Sequence, residues 1–181
     1  MKLNVGCGSN ILDGWENHDA DLDIRKPLPF LGSSLDFVFA EHVVEHLNQQ
    51  EAWVFFRESH RVLKKAGVLR ITVPSIVQVW QHATREYLDL IKARGWGDGS
   101  IQSAVKHLVF LHGHKSMWTP ELLITVLSAV GFRAHQERLY ESFYPELRNV
   151  EGHWRQIGKG NNDLESFSIE GIKIQESTTP G

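Results

Sequence analysis

The sequence has 181 residues, of which 41% are apolar and 23% are charged, with a net charge of -3 at neutral pH. These values are typical of one globular domain, and the small negative charge argues against a nucleic-acid-binding protein. No apolar stretch approaches the roughly 20 residues that a membrane-spanning helix needs. The single cysteine, Cys7, excludes a disulfide within the chain, and no secretory pattern opens the sequence. Both features favour a cytoplasmic protein.

The start of the chain predicts a buried strand that ends in a glycine turn. Leu3 to Val5 is a short apolar run, and Gly6-Cys7-Gly8 follows it directly. Glycines there allow positive φ angles and a close approach of the backbone to a ligand. The pattern alone is weak evidence, because an ordinary tight turn has the same residues. Ile11 stands where a dinucleotide-binding fingerprint has its third glycine, which argues against a nicotinamide or flavin enzyme.

Strand and helix signals then alternate. Residues 35–40 form an apolar, strand-forming run, residues 49–63 show helical spacing, and residues 68–73 form a further strand that ends at Pro74. This order predicts an α/β protein with a Rossmann-like, doubly wound and mostly parallel sheet.

The second half of the chain is less regular. It predicts four segments: a helix over 77–92, a loop over 95–100, an apolar run over 105–111 that fits either helix or strand, and a helix that begins after Thr119 and ends at Gly131. Two late strands, over 132–140 and 167–174, predict an antiparallel hairpin that closes the sheet. Residues 176–181 are expected to form a frayed tail.

Five segments in this order resemble the class I S-adenosylmethionine-dependent methyltransferases, and among them small bacterial methyltransferase-like proteins. They are Asn4-Val5-Gly6-Cys7-Gly8, Leu28-Pro29-Phe30 with Leu35-Asp36-Phe37-Val38, residues 41–47, residues 58–67, and residues 118–132. The resemblance implies one methyltransferase domain over 1–181 and S-adenosylmethionine as cofactor. One departure is the short distance between Gly8 and Asp19, where related folds place about 20 residues, so the first helix is truncated. Another is Lys65-Ala66-Gly67, which replaces a proline-glycine-glycine turn.

The resemblance also implies which residues bind the cofactor: Gly6, Cys7, Gly8, Asp19, Asp23, Glu41 and His42. Asp19 is expected to accept the ribose hydroxyls and Asp23 to face the adenine amino group. Asp21 lies between them, and an exchange of these roles stays open. Glu41 or the Ala40 carbonyl is expected to meet the methionine part. Cys7 is expected to be a small buried residue rather than a nucleophile.

Residues 75–118 are predicted to form an inserted cover over the methyl acceptor. The segment is long, rich in aromatic side chains, and contains four of the ten histidines. An oxygen or nitrogen acceptor usually needs a base near neutral pH, which histidine can supply. His107, His112 and His114 are candidates, and His114 is favoured. The alternative is a helical addition that only completes the core.

No metal site is predicted. His42 and His46 are four residues apart and would share a face of a helix, but no third ligand for this pair is evident.

The expected function is therefore methyl transfer to a small molecule or a saccharide. A cofactor-binding or regulatory module without turnover is the alternative, and the truncated first helix favours it slightly. A nicotinamide dehydrogenase is disfavoured. The acceptor atom and the oligomeric state are not predicted.

Overall fold

The fold is built on one mixed sheet. The computed structural model describes residues 1–174 of the chain, and the frayed tail expected over 176–181 lies outside them. The strands are β1 (Lys2–Val5), β2 (Glu16–His18), β3 (Leu35–Glu41), β4 (Leu63–Pro74), β5 (Phe132–Glu137) and β6 (Ser166–Lys173). Their order in the sheet is β2-β1-β3-β4-β6-β5. The first four strands run parallel to one another, whereas β6 runs antiparallel to its two neighbours, β4 and β5. This confirms the predicted Rossmann-like sheet with its antiparallel C-terminal strands.

Seven α-helices accompany the sheet in the described part of the chain: α1 (Gln49–Val62), α2 (Ile76–His82), α3 (Arg85–Ala93), α4 (Ile101–Phe110), α5 (Pro120–Val130), α6 (Trp154–Ile157) and α7 (Lys159–Glu165). The helix predicted over 77–92 is in fact two helices, because the Thr84 side chain caps a new helix by accepting from the Tyr87 amide. The ambiguous run over 105–111 largely belongs to α4. No helix among residues 1–174 is long and apolar enough to span a bilayer.

One face of the sheet packs against α1 and α5 and forms the main apolar core. Its fully buried members include Leu3, Val38 and Ile71 from the strands, and Phe55 and Leu127 from the helices. An Asn48–Glu51 capping box begins α1, and Gly131 ends α5 with a φ of 111°. The predicted bounds of these two helices therefore agree with their observed ends to within one residue.

The opposite face lacks the usual first helix. Side-chain amides hold the loop between β1 and β2 instead: Asn4 donates to Asn17, and Asn17 bonds both backbone groups of Leu12. Trp15 lies 6.5 Å, ring centre to ring centre, from Phe37 in β3. The truncated first helix is thus confirmed.

A buried ion cluster secures the rest of that face. Arg70 in β4 is fully buried and donates to Glu151 and Glu170, each at 2.6 Å. It also donates to the carbonyls of Arg138 and Glu141, both at 3.0 Å. Burial raises the pKa of Glu151, although the Arg70 charge opposes that rise. The guanidinium thus ties the long connection between β5 and β6 to the sheet.

Residues 75–118 contain α2, α3 and α4, which share a small apolar core of their own. Tyr87, Ile91 and Leu108 are buried in it. Tyr87 also donates a 2.6 Å hydrogen bond from its hydroxyl to Glu165 at the end of α7. The segment is therefore seated on the connection that Arg70 secures.

We expect Arg70→Met to lower the free energy of unfolding by about 3–5 kcal/mol, because it leaves two buried carboxylates without their cation. Urea unfolding followed by circular dichroism measures this change. Arg85→Met is the matched control, since Arg85 is 80% exposed and pairs only with Asp89 on its own helix. Equal stability of the two variants would contradict the importance of the cluster.

Candidate functional site

A cleft of about 420 Å³ opens beyond the carboxyl ends of β1 and β3. The strand order reverses between these two strands, which is where open α/β sheets bind ligands. The cleft brings together four of the residues predicted to bind the cofactor: Gly6, Asp19, Asp23 and His42. A larger cleft of about 700 Å³ lies beside β5 and α7 and contains none of them. Because it lies at the strand crossover, the smaller cleft is the better candidate for the cofactor site.

The glycine turn approaches its neighbour too closely for a side chain. A Cβ atom at Gly6 would lie 2.2 Å from Val43 Cγ2, and the φ of Gly6 is 61°. Gly8 also has a positive φ, but it is surrounded by open space. Cys7 between them is buried and donates its amide to His18 at 3.0 Å. Burial and the charge of Asp19 raise the pKa of its thiol, which fits an inert residue.

The three aspartates after β2 differ in their partners. The Asp19 carboxylate has no hydrogen-bond or ion-pair partner among residues 1–174, and it lines the cleft. Asp21 instead accepts from the Asp19 amide and lies 2.6 Å from His18 Nδ1. Asp23 accepts from Arg25 at 2.7 Å, and this bond holds the pKa of Asp23 well below its usual range. Of the three, Asp19 is the carboxylate that can accept bonds from a ligand.

Glu41 lies at the end of β3, and the chain itself satisfies its carboxylate. Gly152 donates its amide at 2.7 Å and His153 donates at 3.0 Å. Asn10 adds a bond of 3.3 Å from its side chain. The role predicted for Glu41 at the methionine part stays a prediction, and in this structure the carboxylate anchors the segment after Glu151.

His42 has a φ of 52°, which is uncommon for a residue with a side chain and often marks a functional site. Its Nε2 lies 3.0 Å from Ser166 Oγ, and its ring lies 4.1 Å from that of His153. Burial lowers the pKa of His42, but contact with Glu45 and the charge of Glu165 outweigh burial, so the pKa is raised.

A second cavity, of about 150 Å³, adjoins the cleft and shares His42 and His46 with it. Residues of the inserted segment form one wall. Six histidines line it: His42, His46, His107, His112, His114 and His153. The insertion therefore lies at the carboxyl edge of the sheet, and three of its own histidines line the cavity; its role as a cover stays a prediction.

Two of these histidines are neutral near pH 7. Burial lowers the pKa of His107 to about 4, and its ring stacks on Trp96 at 4.8 Å with an interplanar angle of 7°. Burial also lowers the pKa of His114, whose Nδ1 is hydrogen-bonded to the Leu108 carbonyl. Neutral imidazoles can accept a proton or bind a metal ion.

The predicted pairing of His42 with His46 on one helix is wrong. Residues 44–46 form only a single 3-10 turn, and the positive φ of His42 places it outside that turn. Sequence reasoning also missed Glu45, Glu165 and His153, which line the cavity. The sequence places Glu45 next to His46, which could have drawn attention to it. Glu165 and His153 lie in the connection between β5 and β6, which has no recognisable motif.

The comparisons with known proteins agree with this geometry. The sequence family described as a methyltransferase domain matches residues 16–71, from β2 through most of β4. No curated protein matches the sequence.

The similar solved structures include the following three, each with a TM-score of 0.55. An S-adenosylmethionine-dependent methyltransferase from Archaeoglobus fulgidus is 17% identical, over 95% of this chain and 85% of that one. Phosphoethanolamine N-methyltransferase 2 from Haemonchus contortus, in complex with S-adenosyl-L-methionine, is 16% identical, over 96% of this chain and 48% of that one. A complex between the Haloferax volcanii Trm112 methyltransferase activator and a candidate methyltransferase contains a chain that is 11% identical, over 96% of this chain and 82% of that one.

At these identities the likeness establishes the fold, and the chain has the fold of the S-adenosylmethionine-dependent methyltransferases. The predicted resemblance to the class I enzymes is thereby confirmed.

We expect Gly6→Ala to destabilise the protein more than Gly8→Ala. Gly8→Ala should cost about 1–2 kcal/mol, the usual penalty for a left-handed residue with a Cβ atom. Gly6→Ala adds the contact with Val43, so it should cost at least about 1 kcal/mol more. Urea unfolding of the two variants compares them directly. A smaller cost for Gly6→Ala would show that the turn relaxes away from Val43.

Proposed function

We propose that this protein is an S-adenosylmethionine-dependent methyltransferase that binds its cofactor in the 420 Å³ cleft. The observation that carries the proposal is the position of an unpaired carboxylate, Asp19, beside the glycine turn at the strand crossover. The family match over residues 16–71 supports it. So does the fold that this chain shares with a methyltransferase solved with S-adenosyl-L-methionine.

The residues of the cleft fit such a ligand. Asp19 offers acceptors for two ribose hydroxyls, in charge-assisted hydrogen bonds. Leu22, Ile24 and Leu47 supply apolar surface for a purine ring. Asp23 can accept from an adenine amino group only by sharing oxygens that now bond to Arg25. The missing first helix removes a helix N-terminus from this edge, so binding relies more on Asp19.

The bound cofactor would supply an electrophilic methyl group, and the protein would supply position and a proton acceptor. The acceptor atom would take the methyl carbon as the sulfur keeps the electron pair of the broken bond, and the acceptor would lose its proton to a base of this protein. The histidine-lined cavity adjoins the cleft, so a neutral His114 or His107 can take that proton.

The acceptor we propose is a small molecule or a saccharide. The cavity volume of about 150 Å³ suits a small acceptor or one residue of a larger one. The net charge of -3 does not suit a nucleic acid. We further propose one catalytic domain over 1–181 with residues 75–118 as its cover, in the cytoplasm of a bacterium.

A cofactor-binding module without turnover is a second candidate, and one observation favours it. The amides of Gly152 and His153 already satisfy the Glu41 carboxylate at the end of β3. The segment that carries them therefore lies close to the place predicted for the methionine part. Turnover with a methyl acceptor distinguishes this candidate from the enzyme.

We expect S-adenosylhomocysteine to bind and to raise the melting temperature, because a ligand that binds only the native state stabilises it. Asp19→Ala should weaken binding by about 1–3 kcal/mol, or roughly 5- to 150-fold, because the ribose hydroxyls lose charge-assisted bonds. Isothermal titration calorimetry measures both affinities.

Asp13→Ala is the matched control, an exposed aspartate in the preceding loop. Loss of affinity in Asp23→Ala but not in Asp19→Ala would show that the ribose acid is misassigned. A flat titration of the folded wild-type protein at millimolar ligand would overturn the proposed function.

A further inference from the structure

Glu45 is a buried carboxylate that has one ion-pair contact but no hydrogen bond among the described residues. Its side chain is 1% exposed, and neither oxygen accepts a hydrogen bond from residues 1–174. Its one close charge is His42, whose Nδ1 lies 3.2 Å from Oε1. Because burying a carboxylate without hydrogen bonds costs several kcal/mol, such a group calls for a further partner. Glu45 lines the histidine-lined cavity, where a ligand can reach it.

Two imidazoles converge on this carboxylate. Glu45, His46 and His114 each offer one ligand atom, and these atoms all lie within 4.8 Å of one another. The rings of His46 and His114 are 4.8 Å apart and nearly perpendicular. The backbone fixes this arrangement, because the amides of Lys115 and Ser116 donate to the Glu45 carbonyl at 2.7 and 3.0 Å. The inserted segment is thereby held beside the turn that follows β3.

His114 is also in the protonation state that a metal ligand needs. Its Nδ1 is bonded to the Leu108 carbonyl, so Nδ1 carries the proton and Nε2 keeps its lone pair. A second-shell carbonyl of this kind commonly orients metal-binding histidines.

We propose that Glu45, His46 and His114 bind a divalent transition-metal ion, of which Zn²⁺ is the simplest probe. Two imidazoles and one carboxylate form a ligand set that such ions take with further positions left open. Ligand atoms around tetrahedral zinc are about 3.4 Å apart. Side-chain rotations that move these three ligand atoms by about an ångström would therefore bring them to the spacing that the ion needs. The ion would fasten the inserted segment to the sheet edge and take the Nε2 lone pair of His114, so that His107 becomes the proton acceptor of the proposed function.

Another group in the described part of the chain, His135, Glu137 and Glu170, has comparable spacing. It fits an ion less well, because Glu170 is already paired with Arg70 at 2.6 Å and His135 is exposed.

The test is a titration of the metal-free full chain with Zn²⁺ in competition with a chromophoric chelator, in the absence of any cofactor. We expect one ion per chain and a rise in melting temperature. Glu45→Gln and His114→Gln should each weaken Zn²⁺ binding by at least about 100-fold, since loss of even an outer partner costs 10- to 100-fold. His82→Gln is the matched control, an exposed histidine of the same inserted segment, and it should bind as the wild type does.

The visible absorption of bound Co²⁺ gives an independent readout, which should be lost in the same two variants. Zn²⁺ binding no tighter than about 10 µM to the wild type, or an equal loss in His82→Gln, would overturn the proposal. If buried Glu45→Gln fails to fold, His46→Gln replaces it. Ion binding does not depend on methyl transfer, so a chain that binds Zn²⁺ but not S-adenosylhomocysteine retains this site and loses the proposed function.

Discussion

The rest of the structure depends on the buried ion pairs that the guanidinium of Arg70 makes. It pairs with Glu151, and the next two residues donate their amides to Glu41 at the end of β3. The ring of His153 then lies against that of His42, 4.1 Å away between ring centres. Three consecutive residues, 151–153, thus connect the charge buried in the sheet to the wall of the candidate site. A change at Arg70 should therefore reach the site through the backbone, without any direct contact.

The connection secured by Arg70 also replaces a missing element. In the absence of a first helix, Trp15 and the segment after β5 cover the second face of the sheet, with Tyr144 packed on Phe37 at 5.7 Å. A loop can do this only if its backbone polar groups find partners, and here Asn17 and the guanidinium supply them. The cost is a polar second face, where a buried cation takes the place of apolar packing.

The parts of the fold that the sequence predicts are those with local signals. Helix α1 has apolar residues at helical spacing, α5 has a proline in its first turn and a terminal glycine, and β3 and β4 contain apolar runs. The break at Thr84 was missed, because the apolar spacing continues across it. The glycine turn and Asp19 follow from motif order. The convergence of Glu45 with His114 has no local signal, because a fold-dependent backbone contact brings them together.

The cavity places two buried carboxylates beside six imidazoles. Glu165 is buried there, and although burial opposes ionisation, contacts with His153 and Tyr87 lower its pKa. Glu45 is a second buried carboxylate in the same wall, and its nearest charged group is His42. His107 and His114 are held neutral by burial, so they cannot supply the balancing positive charge. The contact with His42 is the one ion pair of Glu45 among the described residues, and neither of its oxygens accepts a hydrogen bond there, so a metal ion would supply the further partner that this buried carboxylate lacks.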